Sequence, residues 1–322
     1  MRFRRRPTLA LLLAAAVCAM ASRVAFAADG VAPAEPGPAL SEAAVDAAVD
    51  SSGRSLDILA LAERLRSARY VLLGEIHDDA QHHRLRAALL RALLVDGRPT
   101  WVVFEQIDRQ HNAAVAAAPR DTEAVVTAGQ VDRKGWKWPL HRPLFDAALA
   151  GGATVLGGNL SRSEASRVVR GGVAQAPVEL QRWLSAPDDS GTAPLSAWRP
   201  AQDAELRHQV DVGHCRALPP AMIAPMVLAQ RARDAALAAA MTGAPPNARV
   251  VLIAGNGHVR RDIGVPHYLA VARADDIISI GFLERSSDGR TVADGPYDET
   301  WFTARVERPD PCASFRPPRA AS

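Results

Sequence analysis

The sequence predicts an α/β fold, a mostly parallel sheet flanked by helices with an inserted helical subdomain. Short apolar runs of strand length alternate with stretches of helical apolar rhythm, and the segment from about 161 to 242 keeps the helical rhythm with no clear strand. At 322 residues, 48% hydrophobic and 23% charged, the chain can bury a substantial core, and its composition excludes a disordered or collagen-like protein.

The elements follow in order. An apolar rhythm through Leu59, Ala62 and Leu65 predicts a helix, and Tyr70-Val71-Leu72-Leu73, ended by Gly74, a buried strand. Asp78-Asp79 offers helix-capping side chains ahead of an amphipathic helix through Leu85, Leu89 and Leu93 that stops near Asp96-Gly97. Trp101 to Phe104 is the second strand. Leu144 to Ala150 is a helix, and Ala153 to Leu156 the third strand. Val250 to Ala254 is a further strand ended by Gly255, and Asp276 to Phe282 is expected to be the last.

Residues 1–27 have the form of a cleavable export signal: an arginine-rich start, an apolar run from Leu9 to Met20, and Ala25-Phe26-Ala27 as a small-x-small cleavage site. That run is too short for a permanent membrane span. The expectation is an exported, periplasmic protein, with lipidation at Cys18 the lesser alternative. Residues 28–51 read as a flexible lead-in, 52–306 as the α/β domain and 307–322 as a tail. Of the 38 basic residues, five arginines lie in the signal, leaving 33 against 35 acidic ones, which removes support for nucleic-acid binding. Of the three cysteines, Cys215 and Cys312 remain after Cys18; an oxidising compartment would allow one bridge, with two separate thiols the other reading.

In an open α/β sheet, ligands bind beyond the carboxyl ends of the strands. Glu75 and His77 follow the first strand, Glu105 the second, Asn159 the third and Gly255-Asn256-Gly257-His258 the late one. Residues two apart in extended chain point to one side, so Glu75 and His77 can share a cleft. Such a set can ligate a metal, act as acid and base, or hold a polar ligand. Glu75, His77, Glu105 and His258 are candidate metal ligands. His82, on the stripe of Leu85 and Leu89, is a further candidate, whereas His83 falls toward the margin and is expected at the surface or behind the ligands. The glycines are expected to let the chain turn so that His258 enters the cleft. Arg260 and Arg261 are candidates for a ligand carboxylate, and Trp136 and Trp138 for an aromatic wall. The chain lacks the third glycine of a dinucleotide loop and any Gly-x-Ser-x-Gly elbow.

Taken together, Leu73-Gly74-Glu75-Ile76-His77-Asp78, Phe104-Glu105, Trp136-Lys137-Trp138-Pro139, Asn159-Leu160-Ser161-Arg162, His214-Cys215, Ala229-Gln230 with Arg233-Asp234, and Gly255-Asn256-Gly257-His258-Val259-Arg260 with Gly264-Val265-Pro266 resemble the ChaN-like haem-binding uptake family of the Tiki superfamily. The resemblance spans about residues 57 to 285. It implies an α/β domain with a helical subdomain, binding of haem or iron in the cell envelope, and a homodimer as an option. It also implies a second reading, a metal-dependent protease or esterase using Zn, Mn or Co with Glu75 as the catalytic base. Relatives often carry a tyrosine after the Trp-x-Trp segment where this chain has His141. With only Tyr70, Tyr268 and Tyr297 present, ligation of haem iron by His77, His141 or His258 stays open.

Overall fold

The structure, a computed structural model, describes residues 48–185, 198–269, 276–292 and 295–313. Residues 1–27, read above as an export signal, most of the segment 28–51 and the end of the tail lie outside the described residues.

Six parallel strands form one sheet: β1 (Tyr70–Leu73), β2 (Thr100–Asp108), β3 (Thr154–Asn159), β4 (Arg249–Ile253), β5 (Ile277–Glu284) and β6 (Glu299–Thr303), in spatial order β3-β2-β4-β1-β5-β6. The α/β class and parallel sheet therefore match the sequence expectation. The last strand does not: β6 follows β5 and forms the edge. Its sequence, Glu-Thr-Trp-Phe-Thr, carries too short an apolar run to stand out.

Alternation along each strand divides the core into two layers. Val71, Leu73, Val102, Phe104, Val251 and Ile253 face one layer, covered by α1 (Ile58–Leu65), α2 (Ala80–Leu94) and α5 (Arg142–Ala150). Tyr70, Leu72, Val103, Val250 and Leu252 face the other, covered by α6 (Arg162–Gly171), α7 (Val178–Leu184) and α9 (Pro220–Thr242). Between them in sequence lie α3 (Asn112–Ala117), α4 (Thr122–Ala128) and α8 (Pro200–Gly213).

The helix starts are fixed by side-chain oxygens. Asp57 accepts from the Leu59 and Ala60 N–H groups at α1, and Asp79 from those of Gln81 and His82 at α2. Ser161 and Glu164 form a reciprocal capping box at α6. The phase of α1 differs from the expected one. Ile58, Leu61, Ala62 and Leu65 are buried, and Leu59 is 74% exposed. The long helix α9 lays a stripe of small residues, Ala232, Ala235, Ala236 and Ala238, with Leu237 and Met241 on the sheet, which brings its polar positions close to the strand ends.

Cys215 and Cys312 are joined in a disulfide that ties the tail to the end of α8. No helix among the described residues is long and apolar enough to cross a membrane.

Candidate functional site

The register of the sheet gathers the polar residues. Leu73 pairs with Ile253 and Phe104 also pairs with Ile253, so Glu75, Gly255 and the Glu105–Gln106 pair emerge at nearly one level. Strand alternation then separates the carboxylates. Glu75 continues the side of Leu73, toward α2 and α5, whereas Glu105 continues the side of Val103, toward α9. The Asn256 N–H donates to the Glu75 carbonyl at 2.9 Å, and the Gly255 N–H to Glu105 Oε2 at 2.8 Å, binding the three strand ends to one another.

On the α9 side lies a closed ionic network. His258, on the short α10 (Asn256–Val259), donates through Nδ1 to Asp234 Oδ1 at 2.6 Å and through Nε2 to Glu105 Oε1 at 3.2 Å. Burial opposes its charge, but Glu105 and Asp234 outweigh that and raise its pKa to about 10. Burial lifts Asp234 to about 6, and it pulls Glu105 upward too, yet the charge and hydrogen bond of His258 carry Glu105 well below the usual carboxylate range. The group is an imidazolium held between two carboxylates. In this arrangement both ring nitrogens of His258 face carboxylates rather than the open cleft. Both oxygens of Glu105 are engaged in turn, by the Gly255 N–H and by His258 Nε2.

On the α2 side, Glu75 Oε1 accepts from His77 Nδ1, and Oε2 lies 3.6 Å from His83 Nε2 and 3.8 Å from Arg86 Nη2. Arg86 is fully buried and donates to the Leu73 and Ala254 carbonyls and to His83 Nδ1 at 3.0, 3.3 and 2.9 Å. His83 Nε2 donates to the His77 carbonyl at 3.1 Å. Burial and the Arg86 charge push the pKa of His83 far down, and push His141 down to about 3. His141 Nδ1 donates to the Trp136 carbonyl at 3.1 Å, and its Nε2 is buried without a partner.

Two expectations are resolved here. His83, expected at the surface or behind the ligands, takes the second place: it is wholly buried behind Glu75, and the α2 flank that a single-stripe helix would leave exposed is covered by the His141 segment, whose ring centroid lies 4.1 Å from that of His83. His82 points the other way. Its Nδ1 accepts from the Ile76 N–H at 3.1 Å and its Nε2 meets Thr303 Oγ1 at 2.9 Å, beside Phe282, so it does not reach the Glu75 group.

Between the two sides opens a cleft of about 390 Å³, lined by His77, Glu105, Gln106, Asp108, Asn159 and Arg233 among others, with Trp136 and Leu160 as apolar wall. The His77 side chain is 52% exposed. Burial lowers its pKa, but the hydrogen bond to Glu75 and the charges of Glu105 and Glu75 outweigh this, so the net shift is upward. Trp136 meets the imidazole edge-on at 4.9 Å, on a loop that Lys137 anchors through Asp78 at 3.0 Å. Gly255 is needed for close approach: a Cβ there would lie 2.7 Å from His77 Cε1, whereas its φ of −67° is ordinary and Gly257 has open space around it. At Gly255 the requirement is therefore room for His77 rather than a turn of the chain toward His258.

The remaining candidates divide. Asn159 lines the cleft, its Nδ2 donating to the Glu105 carbonyl at 2.9 Å. Trp138 packs edge-on against Phe145 and outside the cleft, and His141 lies behind Trp136 with no exposure. Arg260 pairs with Glu205 and Asp262, each at 2.8 Å, and Arg261 donates to the Ile277 carbonyl at 3.1 Å. Neither faces the cleft, because the chain turns away at the end of α10. The cleft arginines are Arg162 and Arg233, which the sequence reading did not single out as ligands; Arg233-Asp234 stood in the motif set and is the signal that marked them.

The family described as haem-binding uptake, Tiki superfamily, ChaN matches residues 61–269, more than half of the chain. The chain belongs to this family. This ChaN-family protein is similar in fold to ChaN of Campylobacter jejuni, in a structure describing cofacial haem binding, at 19% identity and a TM-score of 0.59 over 80% of this chain and 96% of that one. Weaker likenesses are to an effector domain of a MARTX toxin from Vibrio vulnificus (15% identity, TM-score 0.39, 73% of this chain and 37% of that one) and to an erythromycin esterase in an open conformation (16%, 0.36, 77% and 79%). No curated protein sequence matches the chain.

The tyrosines of this ChaN-family chain do not supply a phenolate to the cleft. Tyr70 opens β1 at the opposite end, Tyr268 is buried against Trp183 and Trp198, and burial pushes Tyr297 up to about 12.

Proposed function

We propose that this ChaN-family protein binds haem through His77 and takes part in haem or iron handling in the cell envelope. The observation that carries the reading is the Glu75–His77 pair. With Nδ1–H given to a buried carboxylate, the neutral ring keeps its lone pair on Nε2, at the half-exposed edge of a cleft walled by Trp136. A carboxylate on the far nitrogen fixes the tautomer and raises the basicity of a ligating histidine. Haem, when bound, supplies an iron that accepts an axial nitrogen ligand; the chain's own part is to orient His77 through Glu75 and to pack Trp136 beside it.

At about 390 Å³ the cleft stands at the small end of pockets that take up whole ligands. That supports a complex in which part of the macrocycle stays outside, available to a second copy of the chain in a homodimer. The 215–312 disulfide supports an oxidising compartment, in keeping with export by the signal at 1–27.

Titration of the purified protein with ferric haem tests the reading. A stoichiometric Soret shift that is lost in His77→Ala supports it, and its absence in the wild type overturns it.

A second reading, a metal-dependent hydrolase, is favoured by one observation: Glu75, His83 and His141 offer ligand atoms within 4.8 Å of one another. Only Glu75 Oε2 and His141 Nε2 lack partners, and the Arg86 guanidinium beside them opposes a divalent cation. Bound Zn, Mn or Co in the purified protein, with ester or peptide hydrolysis lost in Glu75→Ala, would establish it.

A further inference from the structure

Resting on the haem reading for the identity of its ligand, we infer that the inner end of the cleft is a carboxylate-recognition site in which Arg233 and Gln106 receive a porphyrin propionate. Gln106 is only 3% exposed and lines the cleft, yet neither Nε2 nor Oε1 has a partner among the described residues. A buried carboxamide is ordinarily hydrogen-bonded on both atoms. Its amide N–H groups are donors suited to an acidic oxygen.

Arg233 lines the same cleft and is held in place there. Nη1 donates to Asn159 Oδ1 at 2.9 Å and to the Leu160 carbonyl at 3.3 Å, and Asn159 is itself tied to the Glu105 carbonyl. This fixes the guanidinium while its Nε and Nη2 make no hydrogen bond among the described residues. A planar fork held by one corner is the geometry that takes a carboxylate with two parallel bonds.

Three carboxylates, Glu105, Asp108 and Asp132, line the cleft and oppose an anion, and Asp108 does so most directly through its interaction with Arg233. Asp108 lines the same cleft and interacts with Arg233 and Arg162, while burial raises its pKa. It is an internal competitor for the guanidinium, and its removal should strengthen binding of an acidic ligand. Asp132 is 52% exposed and lies 3.7 Å from Arg162.

The test compares ferric protoporphyrin IX with its dimethyl ester by Soret titration of the full chain. The wild type should prefer the free acid by about tenfold or more, the scale of charge-assisted hydrogen bonds. Arg233→Gln and Gln106→Leu should each reduce that preference, read as the ratio of acid to ester dissociation constants. Arg233→Lys should keep part of it, and Asp108→Asn should enlarge it. Should Arg233→Gln fail to fold by circular dichroism, Gln106→Leu and Asp108→Asn decide the question. A normal Soret shift with equal affinity for acid and ester overturns this inference and leaves the haem reading standing. No Soret response to either porphyrin overturns both.

Discussion

The Glu75 carboxylate holds His77 Nδ1 while its own second oxygen faces the buried imidazoles of His83 and His141. One side chain thereby joins the exposed edge of the cleft to an interior that the Arg86 guanidinium keeps positive. The chemistry available to His77 is set from behind the ring as much as from the solvent side.

Replacing Glu75 by Gln removes that control. The His77 pKa should fall back toward its ordinary value of 6.5, and haem affinity should drop about tenfold or more, the usual cost of losing the partner behind a ligating histidine. Histidine NMR titration reads the first effect and a Soret titration the second. An unchanged His77 titration would show that Glu75 does not govern it.

Haem binding through Nε2 requires the neutral ring. Because the folded pKa of His77 is raised, the imidazolium persists above the range of an ordinary histidine. Affinity should therefore be full at alkaline pH and fall as pH drops through a midpoint above 6.5. Dissociation constants measured across pH 5.5 to 9 check the sign; affinity that rises toward acid would contradict it.

The His258 network makes a separate statement about stability. A histidine raised to about 10 in the folded chain contributes stability that is fully present below its unfolded pKa near 6.5 and is lost as pH climbs through 10. Glu105, depressed by the same contact, adds stability present above its unfolded value and lost in acid. Thermal melts between pH 6.5 and 10.5 should show a decline that His258→Gln flattens. His258→Ala, which strands Glu105 and Asp234 as buried carboxylates, should cost about 3–5 kcal/mol at neutral pH, read by urea unfolding.

Gly255→Ala should act on His77 through space. The new methyl would sit on the imidazole edge, so the ring must shift or lose Glu75. The expected result is weaker haem binding, on the order of tenfold, with the melting temperature nearly kept. Gly257→Ala, where nothing lies within 4 Å of the added carbon, is the control.

Much of this was legible in the sequence where a local rule held. Apolar runs ending in Gly or a carboxylate located β1, β2 and β4, and the strand-end rule placed Glu75, His77, Glu105 and His258 on one rim. What escaped was side-chain direction. A helical wheel grants α2 one buried stripe, so it favoured His82; the packing of α5 gave α2 a second and put His83 at Glu75. Adjacency to His258 suggested Arg260 and Arg261, but the turn after α10 sends both to Asp262, Glu205 and β5. Arg233 sits one residue before the His258 partner on a helix that reads as plain core, and only a long-range register could bring it to the cleft. The fourteen-residue gap before β6, residues 285–298, by contrast, left no periodic signal at all.

The account turns on whether His77 Nε2 is an iron ligand, and one spectrum addresses that directly. Ferric haem added to the wild type, to His77→Ala and to His141→Ala should give a low-spin or mixed-spin nitrogen-ligated Soret and electron-paramagnetic signature that disappears only in His77→Ala. A signature untouched by His77→Ala would contradict the assignment and place the ligand elsewhere in the chain.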